Sequence, residues 1–144
     1  MKTQEFKNFR KNLQKTQEEM ARLLGISVKA IRSYEQGWRT IPVHAERQIL
    51  FLTAKKNEAH KRVKPCWLIN QCNKDQKEKC PAWEFKTGTL CWFINGTICS
   101  GIVHKDWREK IEICKKCKAF PDALKAVYKA RPNVPEKDCF NPGK

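Results

Sequence analysis

The sequence predicts two small folding units in series: a mainly α helix-turn-helix bundle, then a small cysteine-rich α+β unit stapled by a metal or a cluster. Three observations carry that prediction. Thr16 to Gly37 reads as two capped helices around a tight turn, and all eight cysteines lie at or beyond position 66. The 144 residues also carry 30 Lys and Arg against 15 Asp and Glu, a formal charge of +15. An excess of that size directs the chain toward polyanions, with nucleic acid ahead of an acidic membrane surface. The mean hydropathy of −0.71 argues against an integral membrane protein, as does the lack of any apolar run near the roughly 20 residues a spanning helix needs. The first residues, MKTQEFKNFRKN, do not read as a secretory leader.

The charge and the thiols are not spread alike. Residues 1–64 hold fifteen basic and six acidic side chains and no cysteine; residues 65–144 hold fifteen and nine and every cysteine. Neither half is long enough for a large core, so the second half needs covalent or metal staples.

Along the first half, Phe6, Phe9, Arg10 and Leu13 recur at helical spacing and predict a first helix. Thr16-Gln17-Glu18-Glu19 fits a capping box, in which the Thr16 hydroxyl accepts from the Glu19 amide and the Glu19 carboxylate returns to the Thr16 amide. Met20, Leu23 and Leu24 form the apolar face behind it, with the small Ala21 beside them and Gly25 placed to end the helix in a left-handed conformation. Ser27 then caps Val28 to Gln36, whose Ala30, Ile31 and Tyr34 make an apolar stripe, and Gly37 stops it. Pro42 stands where a further helix begins, with Ile49, Leu50 and Leu52 on its face. Residues 56–65 read as a basic linker or helix extension, able to track phosphates or simply to be solvated.

Thr16 to Gly37, T-Q-E-E-M-A-R-L-L-G-I-S-V-K-A-I-R-S-Y-E-Q-G, resembles the Cro/C1 repressor type of helix-turn-helix, the XRE family, and the likeness extends over about residues 5–55. The resemblance implies a DNA-binding domain at 1–55 and an ion pair between Arg10 and Glu35. By position it implies that Gln17 and Ser27 anchor phosphates and that Val28, Lys29, Arg32 and Ser33 lie on an exposed face that meets base edges. Trp38, Arg39 and Thr40 are expected against the DNA backbone. Without the motif, Lys29 and Arg32 would read as solvated helix charges. One such motif contacts few base pairs, so a homodimer on double-stranded DNA is expected.

The second half is punctuated by Cys66, Cys72, Cys80, Cys91, Cys99, Cys114, Cys117 and Cys139. It reads as β-rich around Leu90 to Ile98 with a turn at Asn95-Gly96, then helical near Trp107 to Ile113 and again from Pro121 to Ala130. Cys66-Trp67-Leu68-Ile69-Asn70 is echoed by Cys91-Trp92-Phe93-Ile94-Asn95. With Cys80-Pro81-Ala82, Gly96-Thr97-x-Cys99 and Cys114-x-x-Cys117, this echo resembles the two-CW domain over residues 66–120. Residues 121–144 then form a short helix and tail, and Cys139 falls outside the pattern.

Several chemistries fit the thiols. Disulfides suit an exported protein, whereas a cytoplasmic DNA reader works in a reducing compartment. Zinc needs four thiolates in a tetrahedron, for which Cys114-x-x-Cys117 is one chelating half. An iron–sulfur cluster also takes four cysteines and tolerates irregular spacing, with Trp67, Trp92, Phe93 and Phe120 available to exclude solvent. Inert free thiols are a further reading. The candidate ligands of a cluster or zinc are Cys66, Cys80, Cys91, Cys99, Cys114 and Cys117.

His44, His60 and His104 stand among unlike neighbours, and no nucleophile elbow or phosphate-cradling glycine loop is present, so no catalytic residue is expected. The sequence therefore points to a cytoplasmic transcriptional regulator with a cysteine-rich sensory unit. Its rivals are a zinc-stapled interaction adaptor tethered to DNA and a thiol or electron-transfer enzyme.

Overall fold

The computed structural model describes residues 1–57 and 64–130. Cys139, His60 and the basic side chains Lys61 and Arg62 lie outside the described residues. The described residues divide into two compact units, 1–56 grouped with 126–130, and 57 grouped with 64–125.

In the first unit four helices follow one another: α1 (Thr3–Asn12), α2 (Gln17–Leu24), α3 (Val28–Gln36) and α4 (Val43–Lys56). The predicted cap residues set their starts, with Thr16 Oγ1 accepting from Glu19 N at 3.1 Å and Ser27 Oγ accepting from Ala30 N at 3.1 Å, but the return bond from the Glu19 carboxylate to the Thr16 amide that a full capping box needs is not formed. Both predicted glycine stops also form. Gly25 takes φ +67, its amide donates to the Arg22 carbonyl at 3.3 Å, and the Ile26 amide donates to the Ala21 carbonyl at 3.0 Å. This double closure satisfies carbonyls that a helix end leaves free, and it needs a residue without a Cβ at the left-handed position.

Phe6, Phe9, Met20, Ile31, Ile49 and Leu50 are fully buried and make the core of this unit. Each contributes about 1.5–3 kcal/mol by leaving water. The Phe6 and Tyr34 rings meet edge to face at 5.7 Å, joining α1 to α3. Leu23, expected on the core face, is 43% exposed, leaving Met20, Ala21 and Leu24 as the inward side of α2.

The second unit is built from short pieces: α5 (Cys66–Ile69), α6 (Lys74–Glu78), α7 (Pro81–Glu84), α8 (Cys91–Ile94), β1 (Ile98–Cys99), β2 (Ile102–Val103) and α9 (Trp107–Lys116). The last helix, α10 (Asp122–Lys129), begins in this unit. Here the sequence expectation needs correcting. The apolar run from Leu90 is a single helical turn, not a strand, and Asn95 ends that turn by donating its amide to the Cys91 carbonyl at 3.0 Å. The turn buries Trp92 and brings Asn95 one turn along from Cys91, on the same face. The only ribbon among the described residues pairs Ile98 with Val103 and Cys99 with Ile102, and its reversal is at Ser100-Gly101, both at positive φ. That is the backbone a two-residue hairpin prefers. The unit is thus helical with a minimal ribbon, where a more even α+β mixture was expected.

Trp92, Trp107, Ile111, Phe120 and Leu124 are buried in this unit, with the Trp92 and Phe120 rings 6.0 Å apart, edge to face. Gly88 accepts from Cys66 N at 3.0 Å and permits a close crossing. A Cβ there would stand 2.7 Å from Pro65 Cβ and 2.8 Å from the Trp67 ring.

Candidate thiol cavity and nucleic-acid interface

All seven described cysteines, from Cys66 to Cys117, line one cavity of about 60 Å³. All seven are free thiols. The six candidate ligands are therefore brought to one place, and Cys72, which the sequence reading left aside, joins them. Trp67, Trp83, Trp92 and Phe120 complete an apolar wall. Among the described residues, no three His, Cys, Asp or Glu side chains stand close enough to hold a single metal ion.

Two asparagines hold two of the sulfurs. Asn95 Nδ2 donates to Cys80 Sγ at 3.5 Å, and its Oδ1 accepts from the Ala82 amide at 2.7 Å. Asn70 and Cys117 meet at 3.6 Å, with Nδ2 placed to donate to Sγ and the thiol equally placed to donate to Oδ1, and the Ala119 amide reaches the same sulfur at 3.4 Å. Neither asparagine was singled out in the sequence as a site residue, although both close the echoed Cys-Trp-x-Ile-Asn stretches.

Lys110, on α9, is a further unexpected wall residue. Its side chain is 1% exposed, Nζ donates to the Trp92 carbonyl at 2.7 Å, and it lies 5.2 Å from the Trp107 ring centre. No carboxylate pairs with it among the described residues. Burying an ammonium without a counter-charge costs several kcal/mol, so its neighbours matter: its charge favours ionisation of Cys91 and Cys114. The Trp92 indole nitrogen is likewise buried with no acceptor among the described residues.

The thiols respond to this setting. The Cys91 thiol beside it brings Cys66 down to about 7, while the same neighbour and then burial push Cys91 up. Burial pushes Cys114 up to about 11 despite Lys110, and burial also raises Cys72. Cys114 sits in the last turn of α9. A thiol-exchange nucleophile wants the opposite, a lowered thiol at a helix N-terminus.

On the first unit, α3 presents Lys29 and Arg32 to solvent, with Val28 half-buried beside the capping Ser27. Arg32 Nη2 lies 3.4 Å from Glu18 Oε1, an exposed pair between α3 and α2. Trp38 is 77% exposed, and Arg39 and Thr40 are also exposed. Ser33 departs from expectation. It is buried and its hydroxyl donates to the Lys29 carbonyl at 2.9 Å, because its place on α3 is one turn from Lys29 and on the inward side. Gln17 is half-buried, and its side-chain amide donates to Glu35 Oε2 at 2.9 Å. The Arg10 guanidinium grips both Glu35 oxygens and also donates to the Lys15 carbonyl at 2.9 Å. That fork ties α1 to α3 and sets the orientation of α3 on the bundle.

Residues 6–42 match the helix-turn-helix family. The match spans the Arg10–Glu35 pair, both capped helices and the turn, and it supports DNA binding by this helix-turn-helix unit. It ends before the first cysteine. No curated protein and no solved structure matches the chain. No helix among the described residues is long and apolar enough to cross a membrane.

Proposed function

We propose that this chain is a transcription regulator that reads double-stranded DNA through α3 as a homodimer, and that its cysteine-rich unit carries an iron–sulfur cluster. The helix-turn-helix match supports the first part. The observation that carries the second is the gathering of seven thiols, a buried unpaired ammonium and an orphaned indole N–H around one cavity.

The donor set fits a cluster better than a single zinc. A structural zinc draws four ligands to one point at about 2.3 Å and leaves no void. Here the described thiols ring a space several times what one water molecule occupies. A cluster takes its four thiolates at separate corners, and when bound it supplies reversible one-electron chemistry whose potential follows charge, hydrogen bonds to sulfur and solvent exposure. This chain's residues address each factor. Lys110 offsets thiolate charge, Asn95 and the Ala119 amide donate to sulfur, and the tryptophans exclude water.

In this reading the state of the cysteine-rich unit alters the geometry of the dimer, and with it the spacing between two recognition helices on DNA. The test begins with a duplex selected from a random pool by the anaerobic protein. That duplex is titrated with the same protein before and after oxidation and after removal of iron. A change of tenfold or more in affinity supports the coupling. Equal affinity in all three states defeats it and leaves the cysteine-rich unit as a staple or a protein-binding platform.

A further inference from the structure

Two stretches of the cysteine-rich unit are built alike. Asn70 ends α5 with φ −89 and ψ 0, and Asn95 ends α8 with φ −76 and ψ −12. Each asparagine donates its backbone amide to the leading cysteine of its own turn, at 2.8 Å to Cys66 and 3.0 Å to Cys91. A further cysteine follows each turn, Cys72 in one and Cys99 in the other, and then a helix, α6 or α9. At the end of that helix comes Cys-x-Ala and an aromatic residue: Cys80-Pro81-Ala82-Trp83 and Cys117-Lys118-Ala119-Phe120. Both alanines are buried. The second copy is lengthened by the ribbon and the longer α9, and it carries Cys114 where the first has Lys77, three residues before the cysteine that ends the helix.

The asparagines cross between the copies. Asn70, from the first, holds Cys117 of the second; Asn95, from the second, holds Cys80 of the first. The leading cysteines, Cys66 and Cys91, and the crossed pair, Cys80 and Cys117, all pack around Ala82 and Ala119. Each held sulfur also has one donor of set direction aimed at it. Ala82 N occupies Asn95 Oδ1 at 2.7 Å, which turns Nδ2 toward Cys80. Asn70 meets Cys117 at 3.6 Å through either Nδ2 or Oδ1, and the Ala119 amide is the donor aimed at that sulfur. Donors aimed at sulfur favour the thiolate, the form that binds metal. Cys72, Cys99 and Cys114 receive no such asparagine contact among the described residues.

We propose that residues 66–83 and 91–120 are an internally related pair, and that the cluster's four ligands are its two matched pairs, Cys66 with Cys91 and Cys80 with Cys117. Asn70 and Asn95 are positioning residues that hold the second pair, and Cys72, Cys99 and Cys114 stay outside the ligand set. The assignment rests on the cluster reading above.

The test uses the full chain, reconstituted anaerobically with ferrous iron and sulfide, with the iron and sulfide bound per chain as readout. Cys66→Ala, Cys80→Ala, Cys91→Ala and Cys117→Ala each lose most of the bound iron, whereas Cys72→Ala, Cys99→Ala and Cys114→Ala keep the wild-type content. Loss at any of the latter three matching that at the former four overturns the assignment, as does full content in any of the four. Asn70→Ala and Asn95→Ala leave every thiol in place and guard against variants that fail to fold. Each weakens retention of iron against a chelator by about 10–100-fold, the size expected for a partner that orients a ligand, and the two factors agree. Unchanged retention in either variant overturns the crossed arrangement. A wild-type chain that takes up no iron defeats the cluster reading itself, an outcome distinct from a loaded chain with a different cysteine dependence.

Discussion

Arg10 and Glu35 form a nearly buried ion pair between α1 and α3, with the guanidinium gripping both carboxylate oxygens and the Glu35 side chain 3% exposed. Gln17 donates to the same carboxylate at 2.9 Å, so three helices are fastened at one anion. The orientation of α3 therefore depends on a charge that water does not solvate.

Removing one member of that pair strands the other. Arg10→Met is expected to destabilise the first unit by about 3 kcal/mol, because an uncompensated buried carboxylate remains. The double variant Arg10→Met/Glu35→Leu recovers more than half of the loss, since two apolar groups leave no orphaned charge. Urea unfolding of the wild-type, single and double variants measures both.

Lys29 and Arg32 are the exposed cations on α3. On a selected duplex, Lys29→Ala or Arg32→Ala is expected to cost about 1–3 kcal/mol and to relax the base preference at one position. Uniform weakening across unrelated sequences would make them phosphate contacts. Ser33→Ala is expected to leave affinity within about twofold, because its hydroxyl is already committed to the Lys29 carbonyl. Fluorescence anisotropy at fixed salt separates the three.

Glu18 holds Arg32 in an exposed pair at 3.4 Å and places a negative charge beside the proposed DNA face. Glu18→Gln frees Arg32 and is expected to tighten binding about two- to fivefold, consistent with the small energy of exposed pairs. The gain shrinks as salt rises, because the charges are screened. A gain that persists at high salt would contradict an electrostatic origin.

Gly88→Ala forces a Cβ to within 2.7 Å of Pro65 and 2.8 Å of the Trp67 ring. The expected cost is about 1–3 kcal/mol of overpacking, confined to the cysteine-rich unit. Its signature is a lowered thermal transition for tryptophan fluorescence, which reports largely on that unit, with unchanged DNA affinity of the iron-free protein. Trp38 alone of the five tryptophans lies in the first unit.

Most of the first unit was legible in the sequence because its signals are local and redundant. Thr16 and Ser27 as caps, Gly25 and Gly37 as stops and the stripe of Ile31 and Tyr34 all agree on two helices. Ser33 misled because one residue's step around a short helix moves it from the exposed to the buried side. The second unit was less legible for a physical reason. A four-residue helix such as Cys91–Ile94 is barely one turn, too short for a 3.6-residue period to show, so its apolar run read as a strand. Lys110 read as one more charge in a basic chain; only burial distinguishes it. Asn70 and Asn95 stood inside the echo that the sequence did reveal, but the sulfurs they hold are distant in the chain.

The most direct test of the central claim is the metal content of the full chain purified without oxygen. A cluster held by these thiols gives a brown protein with a broad absorption band at about 400 nm, characteristic of thiolate-bound iron–sulfur charge transfer, and with iron and acid-labile sulfide in equal amounts. A colourless protein holding one zinc per chain, or no metal after reconstitution with iron and sulfide, would contradict it.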